Sequence, residues 1–205
     1  MTLRTHLGET GTAASASSAA PTGIPKRSSH RHLGRTVVEG QDMRLVHLGH
    51  VFINFKNNTF QWVGIQRFRL PGPTVNDTSV LAMLISHELY GDDHAGGTPG
   101  DNPERHGPYW RDRITPGCFD LTDAGGEERL LRAWAEQHAP LPEHLHADLG
   151  RDLYQPLRAA KRVYRLRDLG PAAYHDWGGV QTEFHELALI DHTDETLTVV
   201  VAADD

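Results

Sequence analysis

Two apolar segments near the start of the patterned chain constrain the fold more than any other feature. VHLGHVFINF and FQWVGIQRF are rich in β-branched and aromatic residues, and KNNT separates them. Asn57 and Asn58 tolerate the positive φ angles that a two-residue hairpin turn requires. Pairing across that turn places four pairs on one face, which we expect to be core: Phe55 with Phe60, Ile53 with Trp62, Val51 with Gly64, and His47 with Phe68.

A second predicted hairpin lies at the other end of the chain. VQTEFHELALID and TLTVVVA flank a turn at residues 192–195 and read as two further strands. Because hairpins stand at both ends and helical patterns lie between them, the sequence predicts an α+β fold. We expect an antiparallel sheet built from the N-terminal and C-terminal hairpins and covered by helices.

The helical patterns between the hairpins differ in strength. The run over residues 78–90 is the clearest, and Gly91 supplies its stop. Its candidate caps are Thr74, Asn76 and Asp77. Weaker patterns predict helices over 127–138 and 153–166, with Pro142 opening a short helix between them.

Length and composition favour one domain. The chain has 205 residues, 38% of them apolar and 23% charged, which is ordinary for a globular protein. Residues 1–42, which include GTAASASSAAPTG, lack the apolar content that offsets ordering entropy, so we expect a disordered tail there and a single domain over 43–205. No apolar segment of about 7 to 15 residues follows the tail's positive charges, which predicts that the chain is not exported.

Charge and cysteine content limit the classes of partner. Residues 41–205 carry 15 Lys and Arg against 25 Asp and Glu, a formal charge of −10. A negative body argues against nucleic acid, and no apolar run approaches the roughly 20 residues of a membrane span. The single cysteine, Cys118, fits a reducing cytoplasm. We expect a cytoplasmic protein that acts on a small molecule, and the sequence leaves a homodimer open.

The stretch VLAMLISHELYG carries the most informative polar residues. At about 100° per residue, His87 and Glu88 fall within or beside the apolar arc of the predicted helix. Glutamate is almost never fully buried unless it is paired, and desolvation raises its pKa towards neutrality. Glu88 therefore suits general acid–base catalysis, with His87 beside it. The alternative is that the pair reaches the surface, or that Glu88 forms a buried ion pair with an arginine.

Two further groups are candidates for binding a substrate. Arg67 and Arg69 lie two residues apart on one strand face, and arginine forks bind carboxylates in bidentate fashion. The alternative is a solvated strand edge. In YHDWGG, His175 and Trp177 precede two glycines, which allow a sharp turn that lays an indole over a ligand. The alternative there is a turn whose tryptophan fills the core.

The 14 histidines raise the question of a metal site. HELYG is not the HExxH signature of zinc proteases, so we expect neither a metal nor another cofactor. Convergence of four histidines in space is the alternative: His94, His106, His175 and His185. The glycine- and proline-rich stretch over residues 91–120 is too long for a simple connection and is typical of a binding loop.

The segment from Arg67 to Glu88 is similar to the bacterial Pictet–Spenglerases of β-carboline alkaloid pathways. It has an arginine-bearing part followed by a histidine and a glutamate, and the chain lacks a cofactor motif. Patches such as ERLLRAWAEQHAPLPEHL look actinobacterial in style. The resemblance implies that Glu88 transfers protons, and that His87 with Arg67 or Arg69 holds the carboxylate of an aldehyde. Trp62 or Trp177 would stack on the indole of a tryptophan-like amine.

The sequence therefore predicts a cofactor-independent biosynthetic enzyme of specialised metabolism that uses general acid–base catalysis. The specific prediction is a Pictet–Spengler condensation and cyclisation of a tryptophan-like amine with a carboxylate-bearing aldehyde, in which holding both reactants together assists the reaction. A histidine-dependent metal-binding enzyme is one alternative. A non-catalytic resistance or regulatory protein is the other.

Overall fold

A six-stranded antiparallel sheet organises the protein. The computed structural model describes residues 43–94 and 101–204, so the predicted tail over 1–42 lies outside the described residues. The strands are β1 (Val46–Asn54), β2 (Gln61–Arg69), β3 (Arg105–His106), β4 (Tyr109–Trp110), β5 (Phe119–Thr122), β6 (Arg162–Leu166), β7 (Phe184–Asp191) and β8 (Thr196–Asp204). The main sheet has the order β1-β2-β8-β7-β6-β5, and β3 and β4 form a small separate hairpin. The predicted α+β class is confirmed.

The two terminal hairpins meet at the centre of the sheet. β2 pairs with β8 along its whole length, from Gln61 opposite Asp204 to Arg69 opposite Thr196. This pairing joins segments from opposite ends of the described chain. It buries β8 between β2 and β7, and its run of small and β-branched residues, TLTVVVAAD, suits a strand covered on both faces.

Helices cover both faces of the sheet. α1 (Asp77–Ser86) packs on one face, together with the β3–β4 hairpin. The other face is covered by α2 (Ala124–Glu136), α3 (Glu143–Leu149) and α4 (Gln155–Ala159). The structure confirms the short helix after Pro142. The helix predicted over 153–166 is wrong in its second half, because Arg162–Leu166 pairs as β6 between β5 and β7.

β2 is buried on both faces. Trp62 and Phe68 belong to the core beneath α1, whereas Val63 and Ile65 belong to the core beneath α2, α3 and α4. The predicted single core face of the first hairpin is therefore wrong. Successive side chains of a strand point to opposite faces of the sheet. A strand with a continuous run of apolar residues therefore packs into the core on each face.

The first hairpin is shifted by one residue from its predicted register. Ile53 lies opposite Val63 rather than Trp62, because the connection is not a two-residue turn. It spans 55–60, begins with a hydrogen bond from Phe55 N to Gln61 O of 3.1 Å, and leaves Phe60 72% exposed. An irregularity between His47 and Gly49 restores the predicted pairing of His47 with Phe68.

Candidate functional site

The helix that carries VLAMLISHELYG ends earlier than predicted. Asn76, one of the three predicted candidates, caps α1, because its side chain accepts a hydrogen bond of 2.8 Å from Ser79 N. The helix stops after Ser86, and His87 takes an extended conformation with ψ of 141°. A short 3₁₀ turn, Glu88–Tyr90, follows.

This break turns Glu88 out of the apolar arc. The side chain is exposed, so the prediction that Glu88 points into the core is wrong. The prediction assumed that the helix continues through residue 88, whereas α1 ends at Ser86. Arg111 closes the helix end instead: its guanidinium donates to the carbonyl oxygens of Ile85 at 2.7 Å and His87 at 3.1 Å.

His87 has a structural position at the same break. Its Nδ1 accepts a hydrogen bond of 3.1 Å from Leu89 N, and its ring lies edge-on to Phe68 at 4.9 Å between centroids. Partial burial lowers the pKa of His87, so the ring is neutral at neutral pH. The neutral ring caps the 3₁₀ turn.

The structure separates the predicted anchor residues. Arg67 and Arg69 alternate with the residues of β2 that face α1, so they project from the opposite face of the sheet. His87 contacts Phe68 on the α1 face. The predicted grouping of His87 with Arg67 or Arg69 is therefore wrong, because a strand sends neighbouring side chains to opposite sides.

The two predicted stacking tryptophans have different environments. Trp62 is buried, with its ring 5.1 Å from that of His94, whereas Trp177 is 59% exposed. His175 is buried and structural: its Nε2 donates to Gly107 O at 2.7 Å, and its Nδ1 accepts from Trp177 N at 3.0 Å. YHDWGG is therefore a turn that holds the β3–β4 hairpin.

That hairpin carries His106 into the interior, where it meets Glu186 from β7. His106 Nε2 lies 2.7 Å from Glu186 Oε2, and His106 Nδ1 lies 2.6 Å from the carbonyl oxygen of Tyr90. A carbonyl only accepts, so Nδ1 carries a proton. One further proton must lie between Nε2 and Oε2, because a lone pair facing a carboxylate at this distance is repulsive. The buried pair thus shares one proton and is neutral in sum.

Tyr90 completes this group. Its ring stacks on His106 with 3.6 Å between centroids, and its hydroxyl donates to Glu186 Oε2 at 3.3 Å. Burial, together with the nearby Glu186, raises the pKa of Tyr90 well above its usual value, so the phenol stays protonated. The second carboxylate oxygen, Glu186 Oε1, is buried and has no hydrogen-bond partner among the described residues.

His94 stands beside this pair. Its Nδ1 lies 3.4 Å from Asp92 Oδ2, and its ring centroid lies 5.7 Å from that of His106. Burial lowers the pKa of His94 to about 4, against the opposing effect of Asp92, so its ring is neutral at neutral pH. The nearby carboxylate favours the neutral tautomer with the proton on Nδ1 and a lone pair on Nε2. Nε2 is buried and has no hydrogen-bond partner within 43–94 and 101–204.

A cavity of about 40 Å³ adjoins these groups. Its lining residues are Gly64, Gln66, Leu84, Leu89, Tyr90, His94, His106, Val199 and Val201. The volume suits a water-sized group or the reacting end of a small molecule. Its walls are apolar apart from the side chains of Gln66, Tyr90, His94 and His106.

A larger open groove of about 660 Å³ lies at the end of α1. Trp110 lines it, and its charged residues are two arginines and two acids: Arg111, Arg113, Glu104 and Asp112. The volume is that of a small-molecule site. The charges cancel, so the groove favours no class of ligand.

The histidines do not converge as the metal alternative requires. His94 and His106 come together, but His175 bonds to Gly107, and His185 lies on the opposite face of the sheet, beside Trp134. Across the described ranges, no group of three or more His, Cys, Asp or Glu side chains is arranged to hold a metal ion.

The sequence analysis missed Glu186 and Tyr90 and considered His106 only as a metal ligand. A signal for Glu186 was present, because a carboxylate stands inside the apolar strand FHELALID. An ionisable residue in a strand buried on both faces needs a partner. Nothing local in the sequence marks Tyr90 as that partner.

Comparison with known proteins found no relative of this chain. Models of protein families, curated proteins and solved structures gave no match to the chain. Within the described residues, no helix has both the length and the apolar character needed to cross a membrane.

Proposed function

We propose that the protein is a cofactor-independent enzyme that performs general acid–base catalysis on a small molecule, with His94 as the base. The observation that carries this proposal is the buried Nε2 of His94, which has no partner among the described residues and belongs to a cavity wall. A neutral imidazole whose Nε2 has no partner among the described residues can accept a proton, although a pKa of about 4 makes it a weak base. The Asp92 carboxylate favours the tautomer that leaves Nε2 unprotonated.

The neighbouring pair, His106 and Glu186, influences the cavity through its electrostatics and does not bond to the substrate. Both ring nitrogens of His106 are bonded within the protein, so His106, Glu186 and Tyr90 are positioning residues. Tyr90 and His106 line the cavity, and Glu186 lies behind them, bonded to both. A charged group would lose its hydration against the apolar walls, so the reacting part of the substrate is small and uncharged.

The Pictet–Spengler reaction stays a prediction from the sequence. Its residue assignment loses its basis, because Glu88 is exposed and Arg67 projects from the opposite face to His87. The broader class, acid–base catalysis, is kept here with different residues. We place this activity in the cytoplasm, on the strength of the cysteine content.

Three reactions of small molecules test the proposal. The first is deuterium exchange next to the carbonyl of acetone or acetaldehyde, the second is hydrolysis of ethyl acetate, and the third is condensation of tryptamine with glyoxylate, followed by chiral analysis of the product. The test variant is His94→Asn, because asparagine tolerates the positive φ of 56° at this position. The matched control is His144→Asn, on the exposed side of α3.

We expect turnover above background in at least one reaction, lowered about 100-fold or more in His94→Asn and unchanged in His144→Asn. Background rates in all three reactions would overturn the proposal and favour the non-catalytic alternative. Equal rates in both variants would overturn the assignment of His94.

A further inference from the structure

β1 is a long edge strand without charged residues or proline, and its one irregularity, between His47 and Gly49, precedes the regular stretch from Gly49 to Asn54. It has nine residues and stands at the end of the sheet order, and within the described part of the chain only β2 pairs with it. Natural edge strands are usually short or carry charged residues or proline, which prevent pairing with another strand. The β1 sequence VHLGHVFIN contains no Lys, Arg, Asp, Glu or Pro. The opposite edge, β5, has only four residues.

The register shows which backbone groups face the open edge. Phe55 N donates to Gln61 O, and the pairing continues without a shift from Asn54 to Gly49. Backbone groups alternate in direction along an antiparallel strand, so those of Ile53 and Val51 point towards β2. The N–H and C=O groups of His50, Phe52 and Asn54 therefore point outward.

The side chains along this edge are apolar. Phe52 is 59% exposed, and its ring lies 5.7 Å from that of Trp62. Val46 and Leu48 are also exposed. An edge whose backbone groups have no partner within the described residues, and which has exposed apolar side chains and no Asp, Glu, Lys or Arg, is complementary to another strand of the same kind.

We propose that β1 pairs antiparallel with β1 of a second copy of the chain, about a twofold axis between the two Phe52 residues. The three outward-facing residues are centred on Phe52, so this axis sets His50 of each copy opposite Asn54 of the other. The pairing forms about six N–H···O=C bonds and joins two sheets of six strands into one. It also brings the two exposed Phe52 rings together as a cross-strand aromatic pair. This dimer is independent of the proposed catalysis.

The test measures the mass of the full-length chain by sedimentation across a wide range of concentrations. Phe52→Pro removes one outward N–H and no bond to β2, which an edge strand tolerates. Phe52→Lys adds the charge that edge strands usually carry. The matched controls are Phe60→Lys, in the loop after β1, and Leu121→Lys, on the other edge, because both residues are exposed and apolar.

We expect the unmodified chain and both controls to form dimers with a dissociation constant on the order of micromolar, since one strand pair is smaller than a standard interface. Both Phe52 variants should stay folded by circular dichroism, with the constant raised at least tenfold. If the unmodified chain is monomeric at all concentrations, the proposal is overturned. It is also overturned if Phe52→Pro and Phe52→Lys form dimers as readily as the unmodified chain. If the chain is monomeric and the backbone amides of His50 and Phe52 resist hydrogen exchange, residues 1–42 of the same chain, rather than a second copy, cover the β1 edge.

A second measurement tests the register. Under oxidation, Phe52→Cys should cross-link two copies rapidly, because the twofold axis brings the two positions together. Leu121→Cys should cross-link only at the slower rate of random collision. Equal rates would contradict the axis at Phe52.

Discussion

His106 and Glu186 stand 80 positions apart in the chain, yet His106 Nε2 lies 2.7 Å from Glu186 Oε2 in the core. Both residues are buried, and Tyr90 bonds to each of them, through its carbonyl oxygen to His106 and through its hydroxyl to Glu186. The β3–β4 hairpin brings the histidine and β7 brings the glutamate.

Removal of the Glu186 carboxyl group should destabilise the fold strongly. Glu186→Ala leaves His106 Nε2 and the Tyr90 hydroxyl without their partner, and breaking a buried pair costs about 3 to 5 kcal/mol. Glu186→Gln keeps the shape and one donor and one acceptor, so we expect a loss of about 1 to 2 kcal/mol. Urea unfolding measures both. Equal, small losses would contradict the shared proton.

Stability should fall as the pH is lowered from 6.5 to about 4, in part because of His94. Its folded pKa of about 4 lies below the ordinary 6.5, so the unfolded chain binds more protons in this window. This contribution is present in full above pH 6.5 and is lost as the pH falls to about 4. His94→Asn should remove on the order of 1 to 3 kcal/mol of that pH dependence. The measurement is the free energy of unfolding against pH, with His144→Asn as the control, and identical curves would contradict the prediction.

Gly178 should not tolerate a side chain. A Cβ there would lie 2.1 Å from the carbonyl oxygen of Pro108, so the turn that holds the β3–β4 hairpin would have to move. We expect Gly178→Ala to cost about 1 to 3 kcal/mol and to perturb His106 in nitrogen-15 spectra of the imidazoles. Gly179→Ala is the matched control, because a Cβ there meets nothing within 4 Å. Similar losses for both variants would argue against this packing.

Arg111 should contribute to stability although it lies at the surface groove. Its guanidinium donates to three carbonyl oxygens, those of Ile85, His87 and Pro103, and a lysine cannot reproduce this fork. We expect Arg111→Lys to cost about 1 to 3 kcal/mol, measured by thermal unfolding. Arg113→Lys is the control, since its side chain is 63% exposed, and it should change stability by less than about 0.5 kcal/mol. The interpretation of Arg111 fails if the two substitutions have the same effect.

Elements specified by neighbouring residues could be predicted. The cap at Asn76, the start of the short helix after Pro142 and the strands at both ends follow from side-chain hydrogen bonding and alternation, which act over a few residues. The register of the first hairpin could not be predicted, because one residue more or less in the 55–60 loop shifts every pair.

The sequence by itself therefore determined the α+β class, the four strands of the terminal hairpins, the presence of α1, α2 and α3, and the presence of ionisable residues inside apolar patterns. Only the tertiary structure decided which of them meet. The pairing of β8 with both β2 and β7 sets Glu186 beneath the β3–β4 hairpin, and the early end of α1 turns Glu88 outward. Local periodicity records which side of an element a residue faces, but the partner across the core depends on strand order, which is fixed by contacts between distant parts of the chain.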